Sequence, residues 1–524
     1  VTQLQTYVAG LGNANMAFDD RAATEISTPS VLLSIPADRA LAGLQGVNAT
    51  VDAMVETMYQ GVLAWEDELY IANQVQGIIP SGGARTDSCR YPMTTRQNIR
   101  YMRMFAGAFM YAAGNHVGVG YGSTQGLVCG KPVSSTGVGN ANGLFGWGIA
   151  HEIGHNMDKL GKAEITNNIY SLAVQAWDGS TMARSTRLTL SNIWPAIYDK
   201  TAAGRPGSAA NVFVQLGMYW QLHLAYDAGS KPLDFYNSFF TLWKSGKYAS
   251  YTYDERVALT ASETANRNLS AFFTRWGMNL SDEVKGILAG YPAESRALWY
   301  LNDESYSYRL SNGAAFQGAV TVSSAVNGNQ VTLTISGGNN TILGYEVRRN
   351  NTPIGFTTGS TYTDDLGAAN NLTYTYSVVP VDKLGNPGSA ATAPEVRVAY
   401  DKTISPSLYT LSRTGDTAEF TMRSGSLPVT GLKVTGGTLT GCTVSVKADS
   451  ASDWTAVTLG PVDSANGIVY FSKPGAAGDS RIWSYDAAAV RVTGLPAGAN
   501  VELLDYPGDR IDLYPGASVG KLAQ

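Results

Sequence analysis

The sequence predicts a multidomain α+β protein: a mainly helical catalytic region over residues 1–310, then two all-β sandwich modules at 315–400 and 401–524. Three observations lead to this reading. The chain has 524 residues, more than one compact domain holds. All four histidines and eight of the ten tryptophans precede residue 310, in a stretch where apolar residues recur at helical spacing. After Leu310 that spacing gives way to short alternating runs separated by turn residues.

Taken in order, Val31–Pro36 reads as a strand, and Leu41–Leu69 has the helical spacing of Leu, Val, Met and Trp. Gln97–Ala113 is a further helix candidate. A Gly-rich stretch, Gly114–Gly146, follows, with a short strand from Val117 to Tyr121. Helices resume at Gly146, with Val212–Leu224, Asp234–Lys244 and Leu269–Trp276 as the clearest segments. Beyond 310, Val331–Ile335, Tyr345–Val347 and Tyr374–Val378 alternate as strands do, and Asn327-Gly328 marks a turn. Gly385–Pro394 has the composition of a linker. In the last module, strands are expected near Ala418–Thr421, Val444–Lys447, Ile468–Phe471 and Val490–Val492.

Composition excludes several function classes. The net charge of −5 is spread without a basic stripe, which argues against a nucleic-acid binder and against a polybasic membrane patch. No apolar run reaches the roughly 18–20 residues that span a bilayer, so no transmembrane segment is expected. The longest candidate, Met104–Gly114, reads as a buried helix. With 57 Gly and 29 Tyr, the composition points to a loop- and strand-rich chain that is secreted or held at a bacterial cell surface. No signal peptide is visible at Val1, so the chain is expected to begin after processing or at an artificial boundary. Cys89 and Cys129 either form one disulfide or remain free thiols, and Cys442 belongs to a core.

One motif carries chemistry. His151-Glu152-Ile153-Gly154-His155 matches H-E-x-x-H, which on a helix puts both imidazoles on one face with a carboxylate beside them. Ile149, Ile153 and Met157 repeat every four residues, and Gly161 is placed as a helix stop. His151 and His155 are therefore expected as Zn2+ ligands and Glu152 as general base. A catalytic zinc needs a third protein ligand. A second Gly and His at positions three and six after His155 would supply one pattern, but Asp158 and Gly161 stand there. Glu164, opening a helical run to Leu172, is the expected third ligand. Asp158 is a candidate to hold a ligand imidazole from behind, or to cap the helix end.

These residues resemble the peptidase M60 (enhancin-like) family. The resemblance rests on Trp147 to Met157 and on Glu164-Ile165-Thr166-Asn167-Asn168-Ile169-Tyr170-Ser171. Flanking runs at Gly107–Gly118 and Phe272–Gly277 agree, so it covers roughly residues 20–300. Residues 315–400 resemble a fibronectin type III module. The M60 resemblance implies a gluzincin-type zincin fold and an endopeptidase acting on mucins and similar O-glycosylated proteins. It implies zinc ligation by His151, His155 and Glu164, proton transfer by Glu152, and sugar contact by Trp147.

The expected reaction is amide hydrolysis by a zinc-activated water, with Glu152 taking the proton and passing it to the leaving amine. Tyr170, His116 and Tyr121 are alternative oxyanion or substrate contacts, and Asn168 is a candidate to orient Glu164 or touch substrate. The Gly-rich segment is a candidate edge strand for pairing with substrate backbone. Arg184 and Arg187 are candidates for reading acidic groups. Trp454, Trp483 and Tyr485 either form a glycan platform in the last module or fill its core. Two competing readings stand beside this one: a peptidase indifferent to glycans, and a carbohydrate-binding adhesin with a vestigial peptidase domain.

Overall fold

The computed structural model describes residues 2–11, 23–47, 50–84, 96–105, 107–114, 116–130, 147–176, 187–188, 191, 193–203, 209–227, 234–366, 373–398, 402–463, 467–472 and 483–505. Cys89, Arg184 and residues 131–146 of the Gly-rich stretch lie outside these. Among the described residues no helix is long and apolar enough to cross a membrane.

A five-stranded sheet opens the fold. Its strands are β1 (Ala23–Ser27), β2 (Val31–Pro36), β3 (Gln97–Tyr101), β4 (Met110–Ala112) and β5 (Val117–Val119), in the order β1-β2-β3-β5-β4. β2, β3 and β5 run parallel, while β1 and β4 are antiparallel edges. The parallel step from β2 to β3 needs a crossover. After α1 (Thr2–Leu11), α2 (Ala37–Val47) and the 25-residue α3 (Val51–Val75) supply it. Thr50 caps α3 by accepting from the amide of Ala53 at 3.4 Å.

The helical layers follow: α4 (Ile149–Met157), α5 (Asn168–Ala176), α6 (Ile193–Ala202), α7 (Val212–Tyr226), α8 (Asp234–Lys244), α9 (Tyr253–Ala265), α10 (Ser270–Arg275), α11 (Asp282–Leu288) and α12 (Asp303–Leu310). α4 packs against α3, α5 and β4, so the motif helix is wedged between the long helix and the sheet edge. α5 is buried along its whole length, including Asn168, Ser171 and Gln175, which share one of its faces.

Three sequence expectations in this region are corrected. Gln97–Ala113 is not a helix but β3, a turn and β4. Its apolar spacing is shared by both structures, and pairing with β2 and β5 decides between them. Met104–Gly114 is likewise not a buried helix: Phe105 and Phe109 are exposed. Leu41–Leu69 is broken near residue 50 into α2 and α3.

Among the described residues beyond 320, the regular elements are strands, apart from one 3-10 turn at Pro406–Leu408. β6 (Thr321–Asn327), β7 (Gln330–Ser336) and β10 (Thr361–Asp365) form one sheet; β8 (Ile342–Arg349), β9 (Thr352–Thr357), β12 (Tyr376–Asp382) and β13 (Ala391–Thr392) form another, and the short β11 (Thr373–Tyr374) pairs with Val396–Arg397. Val331, Leu333, Val347, Tyr376 and Val378 from both sheets share a core. Gly385–Pro394 is not a free linker. Its Gly385 carbonyl accepts from the amide of Ala297 at 2.8 Å, and β13 pairs with β12.

The first of these units is fixed to the helical region. Phe356 of β9 stacks on Tyr300 at 4.0 Å and meets Tyr198 at 4.8 Å. Glu346, 3% exposed, accepts from Arg275 at 2.7 Å, Tyr300 at 2.7 Å and Arg348 at 2.8 Å. Residues 402–505 hold two further sheets around their own core, in which Phe420, Phe471 and Tyr485 are fully buried. Tyr485 is thereby removed from any glycan platform, and Trp483 packs against the same core.

Removing Glu346 leaves the Arg275 and Arg348 guanidiniums without their shared carboxylate. Glu346→Ala is expected to cost about 3 kcal/mol. Calorimetry should show the helical region losing stability with the β unit; an unmoved helical transition would contradict the coupling.

Candidate active site

α4 presents His151 and His155 on one face, one turn apart. Their Nε2 atoms lie 3.2 Å from each other. Glu164 reaches both: Oε2 is 3.4 Å from His151 Nε2, and Oε1 is 3.0 Å from His155 Nε2. The three side chains form the group of possible metal donors found among the described residues. Donors about 2.0–2.1 Å from a tetrahedral zinc lie about 3.3–3.4 Å apart, so these separations fit that ion.

Protonation supports the same fit. His151 Nδ1 lies 2.6 Å from Asn168 Oδ1, while the Asn168 amide nitrogen donates to the Glu164 carbonyl at 2.7 Å. The oxygen of that amide can only accept, so this contact calls for a proton on His151 Nδ1, with Nε2 as the atom that faces Glu164; the Asn167 amide nitrogen also lies 3.2 Å from the same Nδ1. Burial, then the neighbouring His151, holds the His155 imidazole below its ordinary pKa. Both conditions leave nitrogen lone pairs available to a cation.

The segment after α4 places the carboxylate. The helix ends at Met157, and Asp158 caps the turn beyond it. Its carboxylate accepts from Leu160 N at 2.9 Å, Gly161 N at 3.0 Å and Thr166 Oγ1 at 2.5 Å. Of its two candidate roles, the structure therefore gives Asp158 the cap: it organises the turn and hydrogen-bonds neither imidazole. Gly161, placed by the sequence as the helix stop, lies four residues past the end, in left-handed backbone with φ 74°. Glu164 does not open a helix as the sequence suggested. It has φ 63°, a strained conformation for this residue, and α5 begins only at Asn168.

Gly154 explains how the two segments meet. A Cβ there would come within 2.2 Å of the Asn167 carbonyl oxygen. Asn167, 1% exposed, also brings its amide nitrogen to 3.1 Å from His155 Nε2. It was quoted in the sequence only as part of a run; its signal is two consecutive asparagines ahead of an apolar helix, where helix propensity is low. Glu152, 7% exposed, has its pKa pushed up to about 7 by burial and then by the charge of Glu164.

The remaining candidates separate. Trp147, half-buried, packs edge-on to Phe213 at 6.0 Å, with the Arg187 guanidinium 5.3 Å above its ring. Tyr170 is 1% exposed and its hydroxyl bonds Gln76, so it belongs to the core and not to a substrate cleft. The Tyr121 hydroxyl bonds Asp38, away from the imidazoles. His116, 8% exposed, faces Tyr111 with Nε2 3.0 Å from its hydroxyl, and its carbonyl accepts from Asn156 at 3.5 Å. His223, the fourth histidine, is buried beside Asp227 between the rings of Trp220 and Tyr306.

Residues 42–277 match the family described as Peptidase M60, enhancin and enhancin-like. No curated protein matches the chain. Solved structures do. The M60 catalytic domain of Clostridium perfringens ZmpC, in complex with the sialyl T antigen, is 24% identical with a TM-score of 0.56, over 75% of this chain and 73% of that one. The catalytic module of the metalloprotease ZmpA from the same organism is 23% identical with a TM-score of 0.53, over 75% and 71%. The M60 catalytic domain of its ZmpB with CBM51-1 and CBM51-2 aligns over 96% of this chain and 62% of that one, at 18% identity and a TM-score of 0.55. At these identities the likeness shows a shared fold.

Asn168→Ala is expected to weaken zinc binding by roughly 10–100-fold. Competition with a chromophoric chelator reads this directly, and Asn168→Asp, which still accepts from His151, should recover part of it. Unchanged affinity in the alanine variant would remove Asn168 from the site.

Proposed function

From the premise that residues 42–277 form a peptidase M60 domain, we propose that this chain is a secreted zinc-dependent endopeptidase that hydrolyses peptide bonds in O-glycosylated, mucin-like proteins. The observation that carries the reading is the cluster of two imidazole Nε2 atoms and one carboxylate, 3.0–3.4 Å apart. In this reading the catalytic part is a gluzincin-type zincin, and the strands after residue 320 are two sandwich modules.

His151, His155 and Glu164 hold the zinc. When bound, the ion supplies Lewis acidity and a water acidic enough to be deprotonated near neutral pH. The chain does the rest. Glu152, in the turn between the two histidines and largely buried, takes the proton from the attacking water. It then returns that proton to the nitrogen of the departing amine. Its raised pKa suits a group that must both accept and give up a proton near neutrality.

Substrate placement follows from the sheet. The edge strand is β4; the strand that the sequence suggested within the Gly-rich segment, at Val117–Tyr121, is β5 and lies between β3 and β4. β4 packs beside α4, so a polypeptide pairing with its free edge passes the imidazoles. Trp147 stands just before the motif helix, and an aromatic face suits the C–H surface of a sugar. The sialyl T antigen bound by the ZmpC domain supports a sugar-bearing substrate for this site as well. In the last module, Trp454 with Arg491 at 4.0 Å and Lys447 at 5.3 Å is the remaining candidate glycan contact.

Glu152→Gln is expected to abolish hydrolysis while zinc stays bound, measured by fragment analysis and metal content together; surviving cleavage would remove Glu152 as the base. Digesting a mucin-type glycoprotein beside its deglycosylated form tests the substrate class. Cleavage is expected next to glycosylated Ser or Thr, and equal rates on both forms would leave a glycan-indifferent peptidase.

A further inference from the structure

Among the described residues, the two exposed phenylalanines are Phe105 and Phe109, at 65% and 58% exposure. Burying such a ring is favourable, so two left in water four positions apart need a reason. They are not displayed from a loose tail. The Ala108 amide donates to the Phe105 carbonyl at 3.2 Å, Gly120 N to the Phe109 carbonyl at 2.8 Å, and Met102 N to the Val119 carbonyl at 3.0 Å. The turn carrying both rings is thus hydrogen-bonded to the end of β5.

Strand alternation shows which way they face. Met110 points toward α4, where its methyl group lies 2.4 Å from the position a Cβ on Gly148 would take. Tyr111, next along β4, therefore points to the opposite, solvent side. It lies across its partner Gly118, where a Cβ would come within 2.4 Å of the ring. Phe105 leans on the Tyr111 ring at 6.0 Å, and His116 meets that ring edge-on at 5.4 Å.

The backbone of β4 adds a second constraint. The Phe109 carbonyl accepts from Gly120, and Ala113 donates to the His116 carbonyl at 3.0 Å. Odd-numbered residues therefore turn their backbone groups to β5, and those of Met110 and Ala112 point to the free edge. On a strand added there, the residue opposite Tyr111 shares its face and lies about 4.5–5.5 Å away, Cβ to Cβ.

We propose that Phe105, Phe109 and Tyr111 form an aromatic ridge that grips the large side group of the substrate residue paired opposite Tyr111, on the face turned away from the metal. This rests on the endopeptidase reading of the site, and it adds a second recognition element to that site. The ridge presents C–H and π surface without a charged group, so its ligand is the apolar face of a side chain or of a sugar ring.

The test uses the full chain carrying Glu152→Gln, so that peptide binds without being cut, and fluorescence anisotropy of labelled extended peptides. At the position opposite Tyr111 the peptides carry Gly, Leu, or Thr bearing a single N-acetylgalactosamine. Phe105→Ser with Phe109→Ser, both exposed and so tolerated by the fold, is expected to weaken binding of the Leu or glycosylated peptide about tenfold, equivalent to about 1.4 kcal/mol. The Gly peptide should change less than twofold. A loss confined to the Leu peptide or to the sugar peptide identifies which face the ridge takes. Equal effects on all three peptides, or none, would overturn the ridge. Hydrolysis by the otherwise unaltered chain, measured in parallel, reports separately on the endopeptidase reading.

Discussion

Three lone pairs crowded within 3.4 Å of one another repel, and much of the structure around α4 is arranged to hold them together. One amide, that of Asn168, ties an imidazole to the backbone of the carboxylate residue. One carboxylate, that of Asp158, gathers three donors and folds the chain back so that Glu164 returns to the helix it followed. The positive φ of Glu164 is part of the same arrangement. A backbone conformation that costs of order 1–3 kcal/mol persists only where surrounding contacts over-determine it. A cation among the three donors would convert their repulsion into coordination.

The motif helix was legible because two independent signals coincide there: the histidine spacing and the apolar stripe of Ile149, Ile153 and Met157. The matching of Asp234–Lys244 to α8 and of the strands near 331, 345, 444 and 490 has the same cause, a strong period with clear boundaries. The approach of Glu164 was legible only as the need for a third donor. Its local conformation was not, because a left-handed glutamate leaves no pattern in sequence. Nor was the role of Asp158, since capping a turn and steadying an imidazole ask for the same residue type. Gln97–Ala113 failed for another reason: its methionines and aromatics satisfy helical and strand spacing alike, and only partners distant in sequence decide.

The helical region is also joined to strands that follow it. Glu346 lies in a β strand, yet its carboxylate is satisfied from α10 and from Tyr300. Phe356 likewise completes a cluster whose other rings are helical. Apolar and ionic contacts thus reach across the point where sequence texture changes, and a change of texture is not a change of core. The last strands, with their separate buried cluster, show the contrasting arrangement.

Gly154 bears on how the site is spelled. A consensus of two histidines and a glutamate treats the two letters between as free. In this chain neither is. Ile153 is 1% exposed among the apolar contacts of the helix, and at position 154 any side chain would collide with a carbonyl oxygen. In the proposed reading the pentapeptide is a sentence without wildcards: two letters serve the ion, one the proton, one the core, and one the carbonyl of Asn167. A protein with the same three ligands but a bulkier fourth letter would have to bring its third ligand in along a different path.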